Sequence, residues 1–378
     1  MEEVSLILII FGLTLLVVLL IIVLAVVYYA LEARRQGFEI VREKVEYFST
    51  VNSVDDENVT LSPRGDDIRV ITLPIVGLVS EEGSIVAGGT SIHHPDAITR
   101  QVLSSSGSIR KGSNVRTDLF VSQSDPKTSL GISYDDVEFE SELGFFKAWE
   151  IRQNSNNWVI FIHGHRSNRR ESLRFANLFR KLSFNQLMIT YRNDQEALSD
   201  TGGYHMFGLT EWKDLEGAVK YVVRQGGTSI TLFGHSMGGS IVLKFLLESS
   251  ISCAVENIIL ESPALDLNAI VLEKAKSLPF PALTLLLPAK KLVSKLVGFD
   301  WKELNYLSRS HEFNTPILLI HSEDDRTVPV KLSDLLAAER PDLVTYVRLR
   351  HAPHAAAWNV CKEKVETSIT SFLEDSSN

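Results

Sequence analysis

Residues 229–240 of the chain read SITLFGHSMGGS, and this stretch decides the fold. The apolar run from Ser229 to Phe233 has the length and composition of a buried strand. Gly234-His235-Ser236-Met237-Gly238 follows directly, and an apolar helical pattern begins after it. A serine between small residues at a strand-to-helix turn adopts a strained backbone that exposes its hydroxyl. The stretch therefore predicts a nucleophile, Ser236, at the end of a buried strand.

From residue 132 onward, short apolar runs alternate with amphipathic helical patterns on both sides of this turn. This alternation is typical of a mainly parallel sheet with helices on both faces. Residues 264–312 interrupt the alternation with short helical patterns, which predict a cap insertion. The predicted strands are 136–140, 145–151, 158–162, 186–191, 229–233, 257–260, 317–320 and 344–349; the main helices are 171–182, 212–222, one from 237, and 358–373.

Carboxylates in two loops are candidates for the acid that a serine nucleophile requires. A serine hydroxyl is a weak nucleophile until a base takes its proton, and an acid must orient that base. Where a serine sits on such a turn, the acid and the base follow later strands. Asp324 and Asp325 follow the strand at 317–320, and Asp266 follows the strand before it. All three are therefore candidates for the acid.

Two histidines and two backbone N–H groups complete the predicted site. His351 and His354 both follow the last strand. We predict His354 as the base because it lies immediately before the final helix, whereas His351 is expected to pack at the strand end. The tetrahedral intermediate needs N–H donors for its oxyanion. Met237, the residue after the nucleophile, is one predicted donor, and His165, in the loop after the strand at 158–162, is the other.

Composition and charge argue against several other classes of protein. The net charge of -9 disfavours a nucleic-acid partner, because phosphate binding requires a basic face. The two cysteines lie far apart in the sequence and suggest neither a metal pair nor a disulfide framework. His93-His94 and His163-Gly164-His165 lack further ligands at the spacing of a metal site. We therefore expect no metal, no cofactor and no nucleic-acid partner.

The N-terminal segment predicts a membrane anchor. No residue from Val4 to Leu31 is charged, and a helix of that length exceeds a hydrocarbon core of about 30 Å. A cleaved signal peptide is disfavoured because the chain starts Met1-Glu2-Glu3 and because Tyr28 disrupts the small-residue cleavage pattern. Residues 4–31 are therefore predicted to be an uncleaved transmembrane helix of a single-pass membrane protein.

The residues after the span predict its orientation and the domain order. Basic residues follow the span while acidic residues precede it, so the positive-inside rule predicts that the C-terminal bulk of the chain lies on the cytoplasmic side. Residues 32–66 are predicted to form a juxtamembrane helix at 32–48 and a polar linker at 49–66. Residues 67–125 are predicted as a small β-rich segment with frequent glycines. The basic residues are Arg34, Arg35, Arg42 and Lys44.

Residues 132–375 resemble the α/β-hydrolase superfamily, and more narrowly a group of bacterial membrane-anchored α/β hydrolases of largely unassigned substrate. The resemblance implies an α/β-hydrolase fold. It also assigns the acid to Asp325, which stands four residues before Pro329 in the pattern Asp-x-x-Val-Pro. This chain departs from the superfamily pattern in the loop after the strand at 186–191. Many relatives carry an Asp-x-Arg-Gly type loop there, whereas this chain has Tyr-Arg-Asn-Asp. The motifs that carry the resemblance are Tyr191-Arg192-Asn193-Asp194, Gly208-Leu209-Thr210-Glu211-Trp212-Lys213-Asp214, the serine turn, and His354-x-x-x-Trp358-Asn359.

The resemblance implies a serine hydrolase that cleaves a carboxylic ester with a Ser236–Asp325–His354 triad. Peptidase and thioesterase activities stay open, because the superfamily includes both. A different hypothesis is a scaffold that has lost catalysis. The presence of Ser236, Asp325 and His354 in this order along the chain argues against it. The apolar stretch from Leu278 to Pro288 and the lysines that follow predict either a cap packed on the sheet or a surface for acyl chains and the bilayer. A small-molecule or lipid-like acyl substrate is therefore expected.

Overall fold

A helix, a closed β-barrel and an eight-stranded sheet covered by helices follow each other along the chain in the computed structural model. The structure describes residues 2–40, 46–64, 70–122, 124–277 and 283–376.

Helix α1 (Glu2–Gly37) is the N-terminal apolar helix. Its segment Val4–Gly37 contains an 18-residue window with a mean hydropathy of 3.5 and is, among the described residues, the one helix long and apolar enough to cross a membrane. The helix continues past the predicted end at Leu31 and stops at Gly37. The prediction of a separate helix at 32–48 therefore differs from the structure. Residues 32–37 belong to α1, and Phe38, which follows it, is buried against the α/β domain. Residues 41–45 of that prediction lie outside the described residues.

Six antiparallel strands form the closed barrel, in the order β1-β2-β5-β4-β3-β6. Two of them occupy the range predicted as a linker at 49–66. The prediction differs there because the buried residues Val51, Val59 and Leu61 alternate with polar ones in a segment that is polar overall. The strands are β1 (Ser49–Val54), β2 (Asn58–Ser62), β3 (Val76–Val79), β4 (Gly83–His94), β5 (Ala97–Gly107) and β6 (Asn114–Asp118).

The barrel is joined to the α/β domain by polar contacts. Asn359 donates from Nδ2 to the carbonyl oxygens of Ile75 (3.1 Å) and Leu119 (2.9 Å). Arg170 donates to Asp118 Oδ2 at 2.6 Å. A short helix, α2 (Pro126–Leu130), then leads into the large sheet. The barrel is thus fastened to the helix that follows His354 as well as to the 3-10 turn Arg169–Ser172.

The large sheet has the strand order β14-β13-β12-β11-β9-β10-β8-β7. All pairs from β14 to β10 are parallel, whereas β10–β8 and β8–β7 are antiparallel, so the mainly parallel sheet that we predicted is mixed at one edge. The strands are β7 (Asp135–Ser141), β8 (Gly144–Ile151), β9 (Asn157–Ile162), β10 (Asn185–Ile189), β11 (Ser229–His235), β12 (Val255–Glu261), β13 (Ile317–Ser322) and β14 (Val344–Leu349).

Helices cover both faces of this sheet because each inner strand is apolar on both sides. In β9, Ile160 packs in the core that includes α4 and α5, whereas Phe161 packs in the core that includes α3 and α9. Such two-sided burial is typical of parallel sheets. The helices are α3 (Leu173–Lys181), α4 (Trp212–Arg224), α5 (Met237–Glu248), α8 (Lys331–Glu339) and α9 (Ala357–Asp375).

The cap lies between β12 and β13, within the range that we predicted. It contains α6 (Leu267–Ala275), α7 (Leu286–Val297) and two 3-10 turns, Trp301–Leu304 and Leu307–Glu312. Helix α7 packs along α1. Residues 278–282 of the predicted apolar stretch lie outside the described residues.

Candidate active site

Ser236 stands on the sharp turn between β11 and α5. Its backbone has φ 49° and ψ -112°, a region that non-glycine residues rarely adopt. The flanking residues must be small: a Cβ on Gly238 would lie 2.1 Å from the carbonyl oxygen of Ile162, and one on Gly234 would lie 2.7 Å from the nitrogen of Gly239. The glycines therefore allow the turn that presents the serine hydroxyl.

Three of the predicted residues are brought into direct contact. His354 Nε2 lies 2.8 Å from Ser236 Oγ, and His354 Nδ1 lies 2.6 Å from Asp325 Oδ2. When Nδ1–H donates to the carboxylate, Nε2 is left as the acceptor for the serine hydroxyl. This arrangement can take the proton of Ser236 as its oxygen attacks a carbonyl carbon.

Asp325 is held as a carboxylate by its surroundings. The backbone N–H groups of Thr327 and Val328 donate to Oδ1 at 2.8 and 2.9 Å, and His321 Nε2 lies 3.1 Å from Oδ2. Burial alone would raise the pKa of Asp325, but hydrogen bonds from His321 and His354 outweigh it and lower the pKa well below its usual range. The carboxyl group thus stays ionised opposite the imidazole.

The alternative residues lie elsewhere. Asp324 Oδ2 accepts a hydrogen bond from the backbone N–H of His351 at 2.8 Å, and the two side chains form an exposed pair. Asp266 accepts from the N–H of Ala269 at 2.9 Å and caps α6. Neither arrangement contacts Ser236, so the geometry favours Asp325 and His354.

Asp325→Asn is expected to lower kcat by about 10³ to 10⁴, because an amide in place of the carboxylate favours the wrong tautomer of His354. Asp324→Asn, the neighbouring control, is expected to retain most of the activity because it breaks only a surface contact. Initial rates of ester hydrolysis at saturating substrate measure both. If the Asp324 variant proves the more severely impaired, the acid is Asp324.

The loop at residues 163–167, which we call the oxyanion loop, passes close to the nucleophile. A Cβ on Gly164 would lie 3.2 Å from Ser236 Cβ. The loop is held in place because the N–H of Gly164 donates to Glu171 Oε2 at 2.8 Å and because the Tyr191 hydroxyl donates to the carbonyl of His163 at 3.0 Å. The predicted donor in this loop is the backbone N–H of His165.

The side chain of His165 stays neutral. Its ring packs against His205 and Phe207, with centroids 5.4 and 5.5 Å away. Burial, together with the neighbouring positive charges, lowers the pKa of His165 to about 3. Met237, the other predicted donor, is the first residue of α5, where N–H groups have no acceptor within the helix. Met237 directly follows Ser236 in the chain, and His165 directly follows Gly164, which lies against the serine.

A buried ionic network behind the serine was not predicted from the sequence. Glu261, at the end of β12, accepts from His235 Nδ1 at 2.8 Å and from the N–H of Ala357 at 2.9 Å. Arg174 donates to the carbonyl of Ala355 at 2.7 Å and to Asn359 Oδ1 at 2.8 Å. The network thereby fixes the loop that carries His354. Its signal in the sequence is a glutamate that directly follows the apolar run 258–260 at the end of a strand.

The charge of Glu261 is stabilised within this network. Burial would raise its pKa, but the hydrogen bond from His235 and the charge of Arg174 lower the pKa of Glu261 to about 2. Arg174 Nη2 lies 3.8 Å from Glu261 Oε2. A buried carboxylate keeps its charge where such partners offset the desolvation penalty.

The loop after β10 fixes the floor beneath the oxyanion loop. Asp194 Oδ2 lies 2.9 Å from His163 Nε2 and accepts the N–H of Tyr191 at 3.0 Å. Arg192 forms a two-pronged pair with Asp214, at 2.8 and 2.9 Å. Where many relatives carry Asp-x-Arg-Gly, this chain therefore forms two buried ionic contacts, Asp194 with His163 and Arg192 with Asp214.

Comparison with known proteins gives matches to the α/β domain. Residues 153–306 match the profile of the family described as "Serine aminopeptidase, S33". Protein ABHD12B of Homo sapiens is 27% identical over 196 residues, which cover 47% of this chain and 48% of that protein. Lysophosphatidylserine lipase ABHD12 of Danio rerio is 26% identical, with 49% and 47% covered. The matched region spans about half the length of these two relatives.

A bacterial relative and a solved structure agree with these matches. The uncharacterised protein YqkD of Bacillus subtilis is 21% identical over 220 residues, which cover 58% of this chain and 72% of that protein. The Pyrococcus furiosus esterase Pf2001 superposes with a TM-score of 0.54 at 22% identity, and 67% of this chain and 96% of that chain are covered. At this identity the likeness concerns the fold.

Proposed function

The chain belongs to the α/β-hydrolase superfamily, and from this premise we propose that it is a membrane-anchored serine hydrolase that cleaves a carboxylic ester. The predicted α/β-hydrolase fold is confirmed for the α/β domain. The observation that supports the activity is the unbroken series of contacts from Asp325 through His354 to Ser236. A binding module would not need a serine on a strained turn in contact with an imidazole.

The reaction follows from these contacts in two halves. Ser236 Oγ attacks the ester carbonyl carbon while His354 Nε2 takes its proton, and Asp325 stabilises the imidazolium. The N–H groups of Met237 and His165 hold the oxyanion of the tetrahedral intermediate. The imidazolium then protonates the departing alkoxide, which leaves as an alcohol. Water, deprotonated by His354, attacks the acyl-enzyme and releases the carboxylic acid and the free serine.

The cap supports an ester rather than a peptide as substrate. Helix α7 contains leucine, valine and lysine but no acidic residue. An aminopeptidase must bind the positively charged terminus of its substrate, and a lysine-rich helix disfavours that charge. Peptidase activity stays the second candidate because the matched family profile is that of serine aminopeptidases. Thioester cleavage requires the same triad and is the third candidate.

The position of the cap beside α1 supports a lipid-like substrate. A groove of about 350 Å³ runs between α1 and α7 and is lined mainly by apolar residues. Leu287, in α7, is 73% exposed. An apolar surface beside a membrane-spanning helix would face the bilayer, and lysines at its rim can reach the headgroups. The residues that line the groove are Ile22, Val23, Val26, Val27, Pro288, Lys291, Leu292 and Lys295.

We expect the full chain to hydrolyse p-nitrophenyl esters and to prefer medium or long acyl chains to acetate. The physical reason is that apolar area buried by the acyl chain adds about 0.8 kcal/mol per methylene. The measurement is kcat/KM for esters of increasing chain length at a fixed detergent concentration. A steady fall from acetate onward, together with cleavage of aminoacyl amides, would replace the lipid-ester proposal with the peptidase.

We also propose that the hydrolase domain lies on the cytoplasmic side of the membrane, because Arg34 and Arg35 end the span. Protease added outside intact cells is then expected to leave the domain uncut. Lysis of the cells before the same treatment is the control, and it should expose the domain. Digestion without lysis would place the enzyme outside.

A further inference from the structure

We infer that the end of α1 forms part of the wall behind the oxyanion loop, so that the anchor positions the active site as well as holding it at a membrane. The segment concerned, residues 34–39, is called the anchor end below. Three separate contacts carry this inference, which rests on the proposed function because it concerns the oxyanion donor of His165.

The first contact is between the oxyanion loop and the last turn of α1. Arg166 Nη2 donates to the carbonyl oxygen of Arg35 at 2.9 Å. Carbonyl groups in the last turn of a helix lack partners within it and attract cations. Arg166 directly follows His165 and has a left-handed backbone, with φ 56°. A loop in that conformation depends on its side-chain contacts to stay in place.

The second contact is aromatic. Phe38 is only 2% exposed, and its ring lies 5.9 Å from that of Phe207 and 5.0 Å from that of Phe299. Phe207 in turn packs against the ring of His165 at 5.5 Å. One aromatic ring therefore separates the anchor end from the residue that carries the predicted oxyanion donor.

The third contact runs through the backbone. The N–H of His205 donates to the carbonyl of Phe38 at 2.9 Å, and Glu39 pairs with Tyr204 in an antiparallel bridge. The His205 ring packs at 5.4 Å from that of His165. The segment 204–207 thus lies between the anchor end and the oxyanion loop and touches both.

These contacts exceed what a tether requires. A flexible tether would leave the loop geometry to the α/β domain alone, whereas here the loop, segment 204–207 and the anchor end pack together. If the His165 N–H is displaced from the oxyanion, the enzyme binds the transition state less tightly, whereas its affinity for the ester changes less. Loss of the anchor contacts should therefore reduce kcat and change KM little.

The test compares Phe38→Ala with Phe38→Leu and with Phe48→Ala in the full chain, reconstituted in one detergent, with p-nitrophenyl acetate as a soluble substrate. Phe38→Ala should lower kcat about 10-fold, because complete loss of an oxyanion donor costs about 10² to 10³. Phe38→Leu should recover most of the loss by refilling the space. Phe48→Ala is the matched control, since Phe48 is 43% exposed, and it should behave as wild type.

Arg166→Ala is a second variant that keeps the aromatic packing intact and tests the inference if Phe38→Ala fails to fold. It should also lower kcat with little change in KM, and Arg166→Lys, which keeps a positively charged donor on a long side chain for the Arg35 carbonyl, should recover part of it. Unchanged kcat in folded Phe38→Ala, or in Arg166→Ala if the former does not fold, would overturn the inference.

Hydrogen exchange separates this inference from the proposed function. The His205 amide should exchange slowly in the wild-type chain and faster in Phe38→Ala, whether or not the protein is an esterase. Rapid exchange at His205 in the wild type would mean that the anchor end is not docked. A wild-type chain that cleaves no ester but protects this amide would instead refute the proposed function and leave the docking in place.

Discussion

Ser236→Ala is expected to abolish turnover and to leave the fold intact. Removing the nucleophile of a serine triad costs about 10⁶ in kcat, because the base then has no hydroxyl to activate. The fold should persist since the variant loses one oxygen from a turn whose shape depends on the flanking glycines. Circular dichroism and thermal unfolding check the fold, and ester hydrolysis checks the turnover.

A fluorophosphonate probe adds a covalent readout to this variant. The probe should label the wild-type chain and leave Ser236→Ala unlabelled, whereas Ser250→Ala, an exposed serine after α5, should be labelled as wild type. Ester hydrolysis that survives in Ser236→Ala at more than a few per cent of wild type would remove Ser236 from the mechanism. A wild-type chain that neither reacts with the probe nor cleaves esters would favour the scaffold hypothesis.

His354→Ala should be as inactive as the serine variant. The imidazole links Ser236 to Asp325, at 2.8 and 2.6 Å, and removing the histidine of such a triad costs about as much as removing the serine, about 10⁶ in kcat. Rates over a range of pH would show whether any residual activity comes from hydroxide rather than from a second base.

His351→Ala is the matched control, three residues away in the same loop. Its side chain is 83% exposed and pairs with Asp324, so the variant is expected to keep much of the wild-type activity. Inactivation of the His351 variant together with survival of the His354 variant would reassign the base. This pair of variants therefore decides between the two histidines that follow the last strand.

Local patterns in the sequence were sufficient for most elements of the α/β domain and for naming the candidate residues. Val344–Leu349 is a strand with the predicted bounds, the turn at Ser236 follows the predicted strand, and the cap helices fall within 264–312. These features depend on periodicity, on glycine at a turn and on segment length, all of which are properties of neighbouring residues. The order of serine, acid and histidine along the chain is likewise visible without a structure.

Long-range pairing was decided only by the tertiary structure. Ser236 and His354 are 118 residues apart, and their side chains come into contact because strand ends meet at one edge of the sheet. The same packing leaves the Asp324–His351 pair exposed. Closure of the barrel likewise depends on β1 pairing with β6. Sequence periodicity reveals which face of a segment is apolar, but it does not reveal which partner covers that face.

Phe38, in the anchor end, is a residue whose tertiary partners the sequence pattern did not reveal. The helical spacing of Phe38, Val41, Val45 and Phe48 in the sequence predicts a juxtamembrane helix that includes Phe38. In the structure it is buried between Phe207 and Phe299, far away in the sequence. The sequence alone indicated an apolar N-terminal helix and an α/β-hydrolase domain. Only tertiary packing decided that the two meet beside the oxyanion loop, because burial of an aromatic ring depends on surfaces that distant segments supply.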